Sequence, residues 1–455
     1  MSQILTILSN KIIFWSAWII IPLIVEIIPS IVNFFILLHR RIHLKEDAEP
    51  IIYPEISLLI PVYNSSGTLR RCIKSINDSD YDNNLIDILL IDNGSSDDSF
   101  EVYKACQIEF PNLSMNWIKS GQGKAIALNE AIFNSEGKYI INIDSDGALY
   151  KDALKNIVKR FENNMHINCM TGTVLTDPSM INDTDSLFLR LFRKLEFMEY
   201  CQAFLAGRNF ASLFNSIYTL SGACSAFRKS TLLKTQMYNT ETICEDTHLT
   251  FQIKNLLKER VYLCENAIFM VDPIEGFNKF YTQRQRWQIG ELEVSHMFMD
   301  KSGKNVFRDS SFRTLIFDHT FAFSRFIWYF ILIILAFSHY SFHMVIAAAL
   351  IIYVLYIFCG FLYYLNILSF LKDYKDLKKY YRRRFFLLFL LPLYQLVSFF
   401  IRFAGIINST KRKSSWKTFT LTEEIKLFFG TIFKDFAFIG NFRNILRRVI
   451  EVRDE

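Results

Sequence analysis

Two carboxylates one residue apart, Asp144 and Asp146, close the apolar run Ile141-Asn142-Ile143-Asp144-Ser145-Asp146-Gly147. Placed at a strand end, such a pair offers the hard oxygen ligands that Mg²⁺ or Mn²⁺ takes. An ion held there can bridge a diphosphate and stabilise the charge that develops as it leaves. A solvated turn is the plain alternative, and the ligand series of a calcium EF-hand does not continue.

Two earlier apolar runs end in polar loops. Ile56 to Ile60 leads directly into Pro61-Val62-Tyr63-Asn64, and the run after it ends in Asp92-Asn93-Gly94-Ser95-Ser96-Asp97-Asp98. Asp92 at a strand end is suited to accept hydrogen bonds from a base or ribose, and Gly94 lets backbone approach a ligand closely. An Asx turn and helix N-cap built from Ser95, Ser96 and Asp97 accounts for the same residues equally well. Gly121-Gln122-Gly123-Lys124 opens the next helical pattern, where free amides and a Lys can meet a phosphate. The Walker spacing is missing, and a glycine-assisted helix start explains the glycines by themselves.

The elements that must position these residues follow from periodicity. Strands are expected over Glu55 to Ile60, Asp87 to Ile91, Asn116 to Lys119 and Lys138 to Ile143, with helices at Thr68 to Ile76, Ser96 to Ile108 and Lys124 to Phe133. Repeated βα units imply an α/β domain over residues 50–300 with a mainly parallel sheet, right-handed crossovers and ligands at the strand C-terminal ends.

Apolar segments flank that domain. Ile12 to Leu38 is long enough to cross a hydrocarbon core, which makes residues 1–45 an anchor rather than a cleaved signal. Arg40, Arg41 and Lys45 follow it and only Lys11 precedes it, so the positive-inside bias puts the N-terminus outside and the α/β domain in the cytoplasm. Residues 310–410 hold further spans at Leu315 to Phe337 and Val345 to Leu368, joined around His339 to His343. The stretch Phe385 to Ile407 lies between basic clusters at Lys372 to Arg384 and Lys411 to Lys413. That argues against a simple crossing, and Pro392 offers a break into a re-entrant or interfacial element. Residues 411–455 read as a cytosolic amphipathic tail.

Composition fits this segregation. The 455 residues carry a net charge of +6, but the basic residues cluster beside apolar segments, where anionic headgroups attract them, so nucleic acid is not an expected partner. The eight cysteines form no CxxC pair and read as small buried side chains.

Downstream stand Ser221-Gly222-Ala223-Cys224-Ser225-Ala226-Phe227-Arg228, then Glu245-Asp246-Thr247-His248, then Gln283-Arg284-Gln285-Arg286-Trp287. With the loops above, these resemble in order and rough spacing the processive, membrane-bound family-2 glycosyltransferases: the cellulose, hyaluronan and poly-N-acetylglucosamine synthases. The resemblance covers about Ile51 to Ser310. The length, N-terminal layout and C-terminal extension are similar to a glycosyltransferase associated with a Gram-positive exosortase-type system.

The resemblance implies a Rossmann-like nucleotide-diphospho-sugar transferase domain of GT-A type with α-helical transmembrane segments. It implies a site for a nucleotide-sugar donor, UDP-linked, made of Pro61, Tyr63, Asp92, Lys124, Asp144, Ser221 and Gly222. Asp144 and Asp146 would hold Mg²⁺ or Mn²⁺, and Asp246 would be the general base of an inverting transfer. Gln283 and Arg286 would clamp the leaving diphosphate, and Trp287 would stack on the acceptor sugar. Taken without the family, Gln283, Arg286 and Trp287 are i, i+3 and i+4 on one expected helix, which also suits a helix lying on a membrane surface. The expected setting is a multi-pass protein of a bacterial plasma membrane, with a glycan or lipid-linked acceptor, membrane lipids and envelope-export proteins as partners. Transfer of one sugar to a polyprenyl phosphate or other lipid is the alternative, and a nucleotide-sugar or glycan-binding scaffold is a third reading.

Overall fold

The computed structural model describes residues 20, 22–43, 47–302, 334, 337, 342–409 and 419–426. An N-terminal helix, α1 (Ile28–His43), leads to the α/β domain. There β1 (Ile56–Val62), α2 (Leu69–Asn77), β2 (Ile86–Asp92), α3 (Ser99–Glu109), β3 (Ser114–Lys119), α4 (Lys124–Asn134) and β4 (Tyr139–Ile143) alternate as the sequence predicts. β1 and β4 are buried along their whole length, which is why they read as continuous apolar runs.

The parallel register of β1 with β2, and of β2 with β3, sets Val62 beside Asp92 and Asp92 beside Lys119. The C-terminal ends of three strands therefore lie level, and the loops that leave them share one edge of the sheet. A short β5 (Gly147–Leu149) and α5 (Ala153–Asn163) follow, then β6 (Cys169–Thr176), α6 (Leu187–Tyr200), α7 (Arg208–Leu213), β7 (Cys224–Arg228), α8 (Glu245–Asn255) and β8 (Val261–Val271).

All eight strands form one sheet in the order β3-β2-β1-β4-β7-β6-β8-β5. The expectation of a mainly parallel sheet holds for six of the eight strands, since β6 and β8 also pair parallel in the second half. β7 runs antiparallel between β4 and β6, and β5 runs antiparallel to β8, so the sheet is mixed. The reversal has a consequence for the site: pairing Ile143 with Cys224 carries the loop before β7 to the end of β4.

Beyond the sheet lie α9 (Phe277–Ser302), α10 (Phe342–Phe370), α11 (Lys375–Arg382), a 3₁₀ turn at Phe385–Phe389, and α12 (Leu391–Ser409). α10 and α12 are long and apolar enough to cross a membrane, at about 44 and 28 Å by the α-helical rise. Pro392 sits in the first turn of α12, where its missing N–H costs nothing, so it begins this helix rather than breaking it. Residues 421–426 are helical. The expected span at Leu315 to Phe337 lies outside the described residues except for positions 334 and 337. The start of the expected anchor at Ile12, Lys45, the Lys411 to Lys413 cluster and the tail beyond residue 426 lie outside them too.

Three large apolar clusters, and a small one between α8 and α9, hold the fold among the described residues. One fills the face of the sheet under α2, α3 and α5, and a second fills the opposite face under α4 and α8. The third joins α6, α9, α10, α11 and α12 to the edge of the sheet. All eight cysteines are buried and unbridged.

Candidate active site

The loops after β1 and β2 brace each other. Pro61 is buried within β1, whereas Tyr63 is half exposed just beyond it. Asn64 Oδ1 accepts from the Ser96 amide at 2.8 Å, and Asp92 Oδ1 accepts from the Ser95 amide at 2.8 Å. The Asx turn is thus realised, and it fixes Asp92 at the strand end. Gly94 (φ 83°) and Gly123 (φ 136°) adopt left-handed backbone that disfavours a side chain, so glycine is the residue for both bends. Asn93 Oδ1 accepts from the Gly123 amide and ties the second loop to the start of α4.

From α4, Lys124 reaches across the strand ends. Its Nζ lies 2.5 Å from Asp144 Oδ1, 3.3 Å from the Gly222 carbonyl and 3.9 Å from Glu245 Oε1. Burial works to lower this ammonium, but the Asp144 and Glu245 carboxylates outweigh it and hold the group above its ordinary value. Asp146 lies at the exposed rim. Loss of hydration among the surrounding protein, and then the Asp144 charge, raise its carboxyl to about 6.

Asp246 enters from the first turn of α8, where free amides and the helix dipole favour a carboxylate. Its Oδ1 accepts from the Thr247 amide at 2.7 Å and its Oδ2 from the Gly222 amide at 3.1 Å. A Cβ on residue 222 would stand 3.2 Å from Asp246 Oδ2 and 3.5 Å from Lys124 Nζ, so glycine leaves room for both groups. Ser221, next to it, is buried and gives its amide to Thr171 Oγ1 at 3.0 Å. Burial raises Asp246, against the pull of Lys124 and of the two amides, and burial also raises Glu245, to about 7.

The structure therefore brings Lys124, Asp144, Gly222 and Asp246 into one hydrogen-bonded cluster. Gln283, Arg286 and Trp287 stand on α9, which joins that cluster through a close helix contact. At Gly290 a Cβ would lie 2.1 Å from the Sγ of Cys244, the residue capping α8. The Gln283 Oε1 is buried with no hydrogen-bond partner. Trp287 packs edge-on against Phe204, and the Arg284 guanidinium sits 4.7 Å from its ring centre.

Sequence reasoning gave no role to three kinds of residue. Glu245 shares Lys124 with Asp144. Arg208 of α7 gives a hydrogen bond to Thr171 Oγ1 at 3.1 Å; burial lowers it to about 10, against the pull of Tyr218 and Asp246, and it stays charged at neutral pH. The residues between the motif positions on α9 fasten the helix: Arg284 pairs with Glu199 at 2.5 Å, and Gln288 accepts from Arg402 of α12 at 2.8 Å. Glu245 stands beside Asp246 in the sequence but nothing in its spacing points to Lys124, and a basic residue in a helical run gives Arg208 no signal; the interleaving with Gln283 and Trp287 was the available signal for the last.

A mixed sheet with its ligand edge at parallel strand ends, and with carboxylates following β4, is the fold of a GT-A-like glycosyltransferase. Residues 57–234 match the family described as Glycosyl transferase family 2, so the chain carries a family-2 glycosyltransferase domain. A poly-beta-1,6-N-acetyl-D-glucosamine synthase from Staphylococcus epidermidis is 28% identical over 275 residues, which is 59% of this chain and 62% of the relative. The synthase of the same name from Staphylococcus aureus is 26% identical over 247 residues, or 52% of this chain and 55% of the relative. The chain thus spans about three-fifths of the length of the curated relatives it matches. The solved structure of a mannosyltransferase from Pyrobaculum calidifontis in complex with GDP-Man and Mn²⁺ shares the fold, with a TM-score of 0.58, 15% identity, and coverage of 86% of this chain and 97% of its own.

Proposed function

We propose that the chain transfers sugar, with inversion, from a nucleotide-sugar donor to a growing glycan at the cytosolic face of a membrane. The observation that carries this reading is the Asp246 carboxylate, held by two backbone amides at the start of α8 and turned toward the Lys124 and Asp144 cluster.

In this reading Tyr63 and Asp92 border the nucleotide, and Lys124 with Gly222 borders the diphosphate. Asp246 accepts the proton of an acceptor hydroxyl as its oxygen attacks the anomeric carbon, and the diphosphate departs on the opposite face with its bonding pair. Arg286 stabilises that departing charge, and Trp287 offers a face to the acceptor sugar. Asp144 and Asp146 suit a divalent cation. Loss of hydration and then the Asp144 charge raise Asp146, and among the described residues no further His, Cys, Asp or Glu joins the pair. That is the donor set Mg²⁺ or Mn²⁺ uses when substrate phosphates and water complete its shell. Such an ion, when bound, would supply charge neutralisation on the diphosphate.

Membrane embedding is supported by α10 and α12, whose length suffices and whose Leu350, Val354, Phe358 and Leu393 are exposed. α1 packs alongside α10, with Asn33 Nδ2 donating to Tyr363 at 3.2 Å.

The test is incubation of the full chain in lipid with UDP- and GDP-sugars and Mg²⁺ or Mn²⁺, following nucleotide release and product size. A product ladder supports glycan extension, and one defined glycolipid points to single transfer. Asp246→Asn should bind donor as the parent does and release no nucleotide; turnover undiminished in that variant removes the base.

A further inference from the structure

Away from the carboxylate cluster, a cleft of about 590 Å³ opens between α6 and the segment that joins α10 to α12. Its lining includes Lys194 of α6, Lys379 of α11, and Arg383, Arg384 and Phe386 beyond it, so four cations face one carboxylate, Asp376. Among the described residues none of the four is ion-paired.

A basic surface is ordinarily just a solvated face, but three features make this one a site. The Arg384 guanidinium lies over the Tyr380 ring and gives Nη1 to the Tyr380 carbonyl at 2.8 Å, so it is fixed rather than free in solution. The rim is apolar and exposed. Phe386 and Phe389 stand on the joining segment, while Leu187 and Leu191 precede Lys194 on one face of α6. The cleft also lies in sequence and space where α10 ends and α12 begins, which is headgroup depth if those helices enter a bilayer.

We propose that this cleft binds the phosphate of an anionic phospholipid, with the acyl chains lying beside Leu187, Leu191, Phe386 and Phe389. The proposal rests on the membrane reading of α10 and α12. Cationic clusters beside membrane helices attract anionic lipid generally; here the cations converge from two separate elements on one cavity, so a single headgroup meets them together.

Full-length protein in detergent would be titrated with dihexanoylphosphatidylglycerol below its micellar concentration, with dihexanoylphosphatidylcholine, and with glycerol 3-phosphate. The anionic lipid should bind more tightly than the zwitterionic one. Lys379→Gln with Arg383→Gln should weaken it about 30-fold, at about 5-fold per cation, with the zwitterionic lipid unaffected. Lys372→Gln, basic but outside the cleft, should change nothing. Equal binding of the anionic lipid by parent and double variant overturns the site. Glycerol 3-phosphate binding as tightly as the lipid overturns the lipid assignment in favour of a free phosphate. In a separate flotation assay, failure of the parent to float with vesicles of either composition removes the membrane reading and leaves the titration to judge the cleft.

Discussion

Lys124 Nζ stands 2.5 Å from Asp144 Oδ1 while Glu245 Oε1 lies 3.9 Å from the same nitrogen, so one ammonium serves two carboxylates drawn from different sides of the sheet. Asp144 follows β4 and Glu245 begins α8, and the antiparallel insertion of β7 is what brings them within reach. Lys124→Met therefore removes the shared counter-charge. We expect kcat to fall by about 100-fold or more, with a lower Tm because buried carboxylates lose their partner. Nucleotide release and thermal unfolding on the same sample check both.

The acidic pair at the start of α8 makes activity depend on pH. Glu245 is raised to about 7 and Asp246 is raised as well, both by burial first, and the two adjoin, so carboxylate at this helix start is favoured as pH rises through the Glu245 range. Turnover should rise as pH rises through about 7. Glu245→Gln takes away a like charge and should move the acidic limb to lower pH. Arg208→Gln takes away a cation that favours ionised Asp246 and should move it to higher pH. A pH profile of kcat for the three proteins decides; limbs that coincide rule out the coupling.

Much of this site was visible in the sequence, for a physical reason. β1, β2 and β4 are largely covered on both faces, so each is a mostly apolar run whose end announces a polar loop, and Asp92, Asp144 and Asp146 stand at those ends. Strand direction has no such signature. The run that becomes β7 is as apolar read either way, and its antiparallel course is fixed by packing between β4 and β6. Because Gly222 reaches Asp246 only through that course, the partner of Asp246 was not legible from spacing. Lys124 carried a sign but no address: expected at a phosphate, it pairs with the carboxylates that would flank one.

Gly290 is the point where α9 meets α8. A Cβ there would stand 2.1 Å from Cys244 Sγ and 2.9 Å from Cys244 Cβ, so the two helices must part to admit it. Gly290→Ala should shift Arg286 relative to the cluster and lower kcat about 100-fold, since a shift near 1 Å costs that much. Removing the sulfur relieves the shorter clash, so Cys244→Ala in the same chain should restore part of the loss. Donor binding and single-turnover rates on the two single variants and the double variant measure that non-additivity, and strictly additive effects would refute the contact as its source.

Glu196 of α6 lies 2% exposed, its Oε2 accepting from the Ile274 amide at 3.0 Å, and burial raises its carboxyl to about 7. The unfolded chain releases this proton near the ordinary value, whereas the native chain keeps it until about 7. Between those limits the native state binds the extra proton, so stability is lost as pH rises, and above 7 the ionised group is a standing cost. Glu196→Gln keeps an acceptor for Ile274 and carries no charge at any pH. The variant should therefore be more stable than the parent at about pH 8 by roughly 1–3 kcal/mol, with the gap closing toward about pH 5. Tm measured across that range tests the sign: a gap that widened on acidification would mean that Glu196 is held ionised by Arg193 and Arg284 rather than protonated by burial.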